Sequence, residues 1–133
     1  MQVEALDHVN IITDRLDETA NWYAAILGLE RRDAPPPLTP QTAQWMHDAG
    51  GRAIVHINSA DCARTYNRAV EPGALTGALH HVALKMTGYQ EMKARLDAAG
   101  ADYQENLVAA INLRQIFTAD PNNVLLELNF FAG

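Results

Sequence analysis

Cysteine is nearly missing from this chain. Its 133 residues include one, Cys62, so no disulfide forms within the chain and a cysteine-rich zinc site is excluded, which fits a reducing compartment. Cytoplasm is the expected location. Long apolar runs are missing too: no stretch nears the roughly 20 residues of a membrane span, and residues 1–7 lack the basic start and apolar core of a secretion signal. No membrane partner is expected. Basic residues are few, 10 Lys and Arg against 16 Asp and Glu, for a net charge of -6 without a cationic cluster. Nucleic acid is therefore not an expected partner, because affinity for a phosphate backbone rests on cationic contacts. With 48% hydrophobic residues the chain reads as one globular domain over 1–133, able to bury an ordinary core without staples.

What the chain does have is an internal repeat. Leu6-Asp7-His8-Val9 lies over Leu79-His80-His81-Val82 at an offset of 73, and each run is strand-like. A helical pattern follows each. Leu16, Ala20, Tyr23, Ala24 and Leu27 recur at three- and four-residue steps, with Asp14 a candidate N-cap and Gly28 placed to stop the helix. Tyr89, Met92, Leu96 and Ala99 recur likewise before Gly100.

Each copy closes with a turn and an apolar strand: residues 49–52 before AIVHINS, and residues 120–123 before VLLELNF. An offset of 71 superposes Val55-His56-Ile57-Asn58 on Leu126-Glu127-Leu128-Asn129, so a two-residue slip belongs in the intervening loops. Further strands are expected around residues 43–48 and 113–118. The reading is α+β, strand-helix-three strands written twice: βαβββ modules over about 1–60 and 78–133, joined by a connector at 61–77. A short helical piece is expected at 63–69. The four prolines of APPPLTP, residues 34–40, exclude ladder and helix interior and predict a stiff loop bordering the sheet.

Strand parity then sorts the polar side chains. Alternate residues share a face, so His8 lies with Asn10, His56 with Asn58, Glu127 with Asn129, and His81 opposes Val82 and Leu84. All four sit away from the apolar face that helices cover. Three imidazoles and a carboxylate are the N and O donors that suit a divalent transition metal. A metal also accounts for a glutamate inside Leu125-Leu126-Glu127-Leu128, since Glu is rarely buried in mid-strand unless paired. His80 falls on the face opposite His81, and His47 lies beside a turn; both read as structural. Trp45 is a candidate floor for an aromatic pocket, though core packing is the commoner use of such a residue. Gln115 and Asn112 are candidate cleft residues.

These residues resemble the vicinal oxygen chelate superfamily, which contains glyoxalase I, methylmalonyl-CoA epimerase, bleomycin- and fosfomycin-resistance proteins and extradiol dioxygenases. The resemblance covers essentially the whole chain. It rests on LDHVNIITDRLDETANWYAAILGLE, GALHHVALKM and FTADPNNVLLELNFF, the last similar to the family's Asp-Pro-Asp-Gly-Asn turn before a glutamate-bearing strand, with Asn122-Asn123 departing from it. The resemblance implies two βαβββ modules whose curved mixed sheets surround a metal cleft. It places the ligands on the first and last strands of each module, at His8, His56, His81 and Glu127, and implies a homodimer.

The function expected is a divalent-metal enzyme (Ni, Co, Zn, Mn or Fe) of the glyoxalase I or epimerase kind, a lyase or isomerase chelating vicinal oxygens of a small-molecule substrate. Glu127 would be ligand and proton-transfer base. Glyoxalase I commonly has a carboxylate where this chain has His56, and Arg114 is the nearest basic candidate for holding glutathione. The alternative is an Fe(II) extradiol-type ring-cleaving dioxygenase, using His8, His81 and Glu127 as a 2-His-1-carboxylate set with His56 as acid or base. A non-catalytic binding or resistance protein is the third reading.

Overall fold

A computed structural model of the chain describes residues 1–63, 75–77 and 79–132. The helical piece expected at 63–69 lies, apart from Ala63, outside the described residues. Two compact units divide the chain, Met1–Gly73 and Ala74–Gly133.

The first unit runs β1 (Val9–Ile12), α1 (Leu16–Leu27), β2 (Glu30–Asp33), β3 (Ala43–His47) and β4 (Ala53–Asn58). The second repeats it: β5 (Val82–Lys85), α2 (Tyr89–Ala98), β6 (Tyr103–Val108), a single 3-10 turn, β7 (Leu113–Ala119) and β8 (Leu125–Phe131). Each unit forms a four-stranded sheet, in order β1-β4-β3-β2 and β5-β8-β7-β6. The first and last strands of a unit pair in parallel and the other pairs are antiparallel. This is the α+β pair of βαβββ modules expected above.

Apolar periodicity explains how each helix lies on its sheet. Thr19, Ala20, Tyr23, Ile26 and Leu27 are the buried positions of α1, and Met46, Val55 and Ile57 are buried on the sheet. Ile26 replaces the expected Ala24 in this stripe. In the second unit Met92 and Leu96 are buried with Ile116, Leu126, Leu128 and Phe130. Gly28 ends α1 in the left-handed conformation at φ 71° and gives its N–H to Ala24 O, the geometry that favours glycine. The expected Asp14 cap is replaced: Arg15 holds the cap position, and the Thr13 hydroxyl accepts its N–H at 3.0 Å. Arg31 then ties helix to sheet, donating to Asn21 Oδ1, Asp17 Oδ1 and Gln44 Oε1.

The duplication reaches into the turns. Asp48 Oδ1 accepts the N–H groups of Gly50 and Arg52, both at 2.9 Å, and Asp120 Oδ1 accepts those of Asn122 and Val124 at 2.7 and 2.8 Å. Gly51 at φ 78° and Asn123 at φ 64° fill the same left-handed place. Asn tolerates that conformation better than other residues with a side chain, so Asn123 serves where the family turn carries glycine.

Part of the slip is not in a loop. Met46 pairs with Val55 but His47 with Ala53, whereas Thr118 pairs with Leu126 and Ala119 with Leu125 without interruption. Ile54 is thus an extra residue, a β-bulge in β4 two positions before His56. Bulges of this kind re-aim neighbouring side chains and recur beside functional sites. The rest of the slip falls between helix and second strand.

Ile57 and Leu128 are equivalent and fully buried. Ile57→Ala and Leu128→Ala should each cost about 2–5 kcal/mol, read as a lower denaturation midpoint at unchanged slope.

Candidate metal centre

Register sets the donor pairs. Val9 pairs with Val55 and Val82 with Leu126, so His8 and His81 precede matched strand positions, while His56 and Glu127 follow the matched partners. Each unit carries one such pair, on the sheet face away from its helix. Within neither unit do three His, Cys, Asp or Glu side chains gather among the described residues.

In the second unit His81 Nε2 lies 3.9 Å from Glu127 Oε1. That is just under twice the roughly 2.1 Å of a metal–nitrogen or metal–oxygen bond, so one ion can bridge the two. The glutamate side chain is 17% exposed. Its other oxygen, Oε2, accepts from Asn129 Nδ2 at 2.9 Å.

In the first unit the rings of His8, His56 and Trp45 form a continuous stack. His56 is 3.8 Å from His8 with a 12° interplanar angle, and 4.0 Å from Trp45 at 8°. Trp45 is directly across from His56 in the ladder, which explains the contact. Lone pairs on imidazole nitrogens lie in the ring plane, so two stacked rings direct them side by side. Both can ligate one ion only if a ring turns out of the stack. His8 is the free one to do so, since it precedes β1 and is 37% exposed. The donor chemistry of both pairs therefore fits a divalent ion, with that turn required.

Both first-strand histidines have Nδ1 engaged by the residue just before them. His8 Nδ1 donates to Asp7 Oδ2 at 2.6 Å, and His81 Nδ1 lies 2.9 Å from His80 Nδ1, one donating to the other. An imidazole held at Nδ1 presents Nε2 to a metal. His80 is thus not simply turned away from His81: its ring packs edge-on against it at 5.2 Å. The Asp7 carboxyl is held below its ordinary range, first by its hydrogen bond to His8 and then by that ring's charge.

His56 is also shifted downward, mainly because burial penalises the imidazolium and secondarily through the charge of His8. A neutral imidazole is the form that ligates a metal or accepts a proton.

The remaining candidates are placed as follows. Trp45 packs, besides the stack, against a small cluster of Ala34, Ala43 and Cys62 with Leu38. The proline loop at 34–40 therefore does border this face. Gln115 is buried on the Glu127 face with its amide bonded to Asn106 and Asn129. Asn112 turns the chain at φ 49° after the 3-10 helix. Arg114 occupies the opposite, helix-side face, 5.2 Å from the centroid of Tyr89, which removes it from the donors' side. His47 Nδ1 is buried without a hydrogen-bond partner among the described residues. Asp7 and Asn106 were not foreseen; the repeat itself, which aligns Asp7 with His80, is the signal that pointed to the first.

The family model for the Glyoxalase/Bleomycin resistance protein/Dioxygenase superfamily matches residues 5–128. "Glyoxylase I 4" of Arabidopsis thaliana is 24% identical over 130 residues, covering 96% of this chain and 71% of that protein. A putative glyoxalase family protein from Bacillus anthracis superposes with a TM-score of 0.73 at 16% identity, covering 99% and 98% of the two chains. A mutant of the fosfomycin resistance protein FosX from Listeria monocytogenes, crystallised with Mn(II) and 1S,2S-dihydroxypropylphosphonic acid, superposes at 0.64 with 22% identity, covering 96% and 90%.

The position of His56 in the stack is checked by NMR titration of metal-free protein. Its imidazole should titrate below the ordinary value of 6.5, and Trp45→Leu should move it back toward that value by uncovering one face. Because the folded pKa is the lower one, the unfolded chain takes up the proton first as pH falls. The stability from neutral His56 is present above about pH 6.5 and is lost on acidification, a loss that His56→Gln should abolish.

Proposed function

The chain belongs to the Glyoxalase/Bleomycin resistance protein/Dioxygenase superfamily, and from that premise we propose that it is a divalent-metal-dependent lyase or isomerase of the glyoxalase I type. Its substrate is a small molecule offering two neighbouring oxygens. The observation that carries this reading is the equivalence of the donor pairs: His8 and His56 occupy in one unit the places of His81 and Glu127 in the other. Chance placement of four metal-ligating side chains at both positions of both copies is a poor alternative.

In this reading His8, His56, His81 and Glu127 together hold the ion, and the chain works as a homodimer. A bound divalent ion supplies Lewis-acid polarisation of the substrate's oxygens. Asp7 and His80 engage Nδ1 of His8 and His81 and leave Nε2 as the donor atom, with His8 turning out of its stack, while Asn129 keeps Glu127 Oε2 occupied. Glu127 takes a proton from one substrate carbon at Oε1, the oxygen that Asn129 leaves open, and returns it to the neighbour. The Mn(II) and vicinal diol named for the FosX mutant are of the metal and ligand classes this donor set would take, as N and O donors suit Mn, Fe, Co, Ni and Zn alike.

One observation favours a second reading. Both faces of His56 are covered by parallel rings, an arrangement suited to an acid or base held beside a metal rather than bound to it. His8, His81 and Glu127 would then form the 2-His-1-carboxylate set of an Fe(II) extradiol-type dioxygenase.

Metal analysis of protein purified without added metal, followed by assays with hemithioacetals and with catechols under oxygen, separates the two. Nickel, cobalt, zinc or manganese with hemithioacetal turnover is the expected result. Iron with oxygen uptake would establish the second reading instead. Glu127→Gln should lose most of the bound metal, and unchanged metal content in that variant would sink both. Ligand binding that survives EDTA in a metal-free protein would identify a non-catalytic binding protein.

A further inference from the structure

Four side chains cross the second sheet in one hydrogen-bonded line. Asn106 Nδ2 donates to Gln115 Oε1 at 2.8 Å, Gln115 Nε2 to Asn129 Oδ1 at 3.0 Å, and Asn129 Nδ2 to Glu127 Oε2 at 2.9 Å. The ladder register places Asn106 opposite Gln115 and Gln115 opposite Asn129, so all lie on one face. The line starts on the edge strand β6 and ends at the carboxylate.

Its polarity is dictated from that end. An ionised carboxylate only accepts hydrogen bonds, so Asn129 must turn its NH2 toward Glu127. Its Oδ1 is then left to accept from Gln115, whose Oε1 accepts from Asn106 in turn. Every amide thus donates toward the glutamate, and aligned bonds of this kind strengthen one another.

The line is not a general strut of the fold. In the first unit Ala43 stands opposite Asn58 where the second has Gln115 opposite Asn129, and Asn58 Nδ2 donates instead to Cys62 Sγ at 3.6 Å. The copy without the line carries an imidazole at the last-strand position, and the copy with it carries a carboxylate. The relay goes with the carboxylate.

The geometry points to Asn129 as a positioning residue for Glu127, held in place by Gln115 and Asn106. It occupies Oε2 and leaves Oε1, the oxygen nearer His81, as the single donor atom. A carboxylate is otherwise able to ligate through one oxygen or both. Holding it to one keeps coordination positions open for the two oxygens of a chelating substrate. This inference rests on Glu127 being a metal ligand.

The test is Mn(II) affinity by equilibrium dialysis on the whole chain, with thermal unfolding alongside. Asn129→Leu should weaken binding about 10- to 100-fold, the usual cost of losing an outer-shell partner. Gln115→Met preserves size and charge but removes the donor, so the Asn129 amide is no longer held with its NH2 toward Glu127. It should weaken binding within the same range while Asn129 is present and add nothing to Asn129→Leu. A merely structural role would not make the effect of position 115 depend on Asn129. If folded Asn129→Leu and Gln115→Met bind Mn(II) like the parent while Glu127→Gln does not, the relay is wrong and the metal reading stands. If Glu127→Gln also binds like the parent, the metal reading falls and the relay's role with it.

Discussion

Two-residue alternation in the last strand of each unit governs the rest of the molecule. Leu126, Leu128 and Phe130 are buried on the helix side of β8, and that burial locks the register because a one-residue slip would exchange the two faces of the strand. Glu127 and Asn129 are consequently held on the other face, whatever their own preferences. In β4, Val55 and Ile57 do the same for His56. Burying a large aliphatic side chain stabilises by about 1.5–3 kcal/mol, enough over several residues to present a carboxylate or an imidazole at a place it would not choose on solvation grounds. The chemistry is thus positioned by the core behind it.

The bulge at Ile54 modifies this constraint in one unit only. It changes the pairing between Met46 and His47 and lies on the approach to His56, while β8 reaches Glu127 without interruption. Two strands of common origin therefore arrive at equivalent positions along different backbone paths. The neighbours differ to match: Trp45 supplies a flat ring to an imidazole, and at the paired position Phe117 stands beside Glu127.

Much of this is legible in the sequence. The repeat, the strand-helix-three strands order and the faces of His56 and Glu127 follow from periods of 2 and 3.6, which depend only on residue type and spacing, whereas His8 and His81 stand just before β1 and β5. What escaped depends on other things. A bulge leaves no residue signature, so the offset change at Ile54 read as a loop. The Asp48 and Asp120 turns match at an offset of 72, between the offsets of the flanking strands, because each is organised by an aspartate side chain rather than by the glycine pair at 50–51. His80 was judged by strand parity, but it precedes β5 and is not bound by the pleat. The ring stack and the amide line require rotamers and cross-strand register, and neither is a property of a single segment.

The two units also show how a duplicated scaffold accommodates unlike donors. A neutral imidazole has its donor atom in a rigid ring, so orienting the ring is sufficient, and stacking between His8 and Trp45 together with a hydrogen bond to the Ala53 backbone does that. A carboxylate is planar too, but it has two equivalent oxygens and sits on a flexible stem. Fixing one oxygen requires an N–H donor, and that donor must itself be held, which is why the support extends from Asn129 through Gln115 to Asn106. Exchange of His56 for a carboxylate in the first unit would therefore be incomplete by itself. Ala43 provides no amide at the place of Gln115, and Asn58 is committed to Cys62. The residue at the last-strand position and its hydrogen-bond partners have to change together, so His56 and Glu127 are each matched to the sheet that carries them.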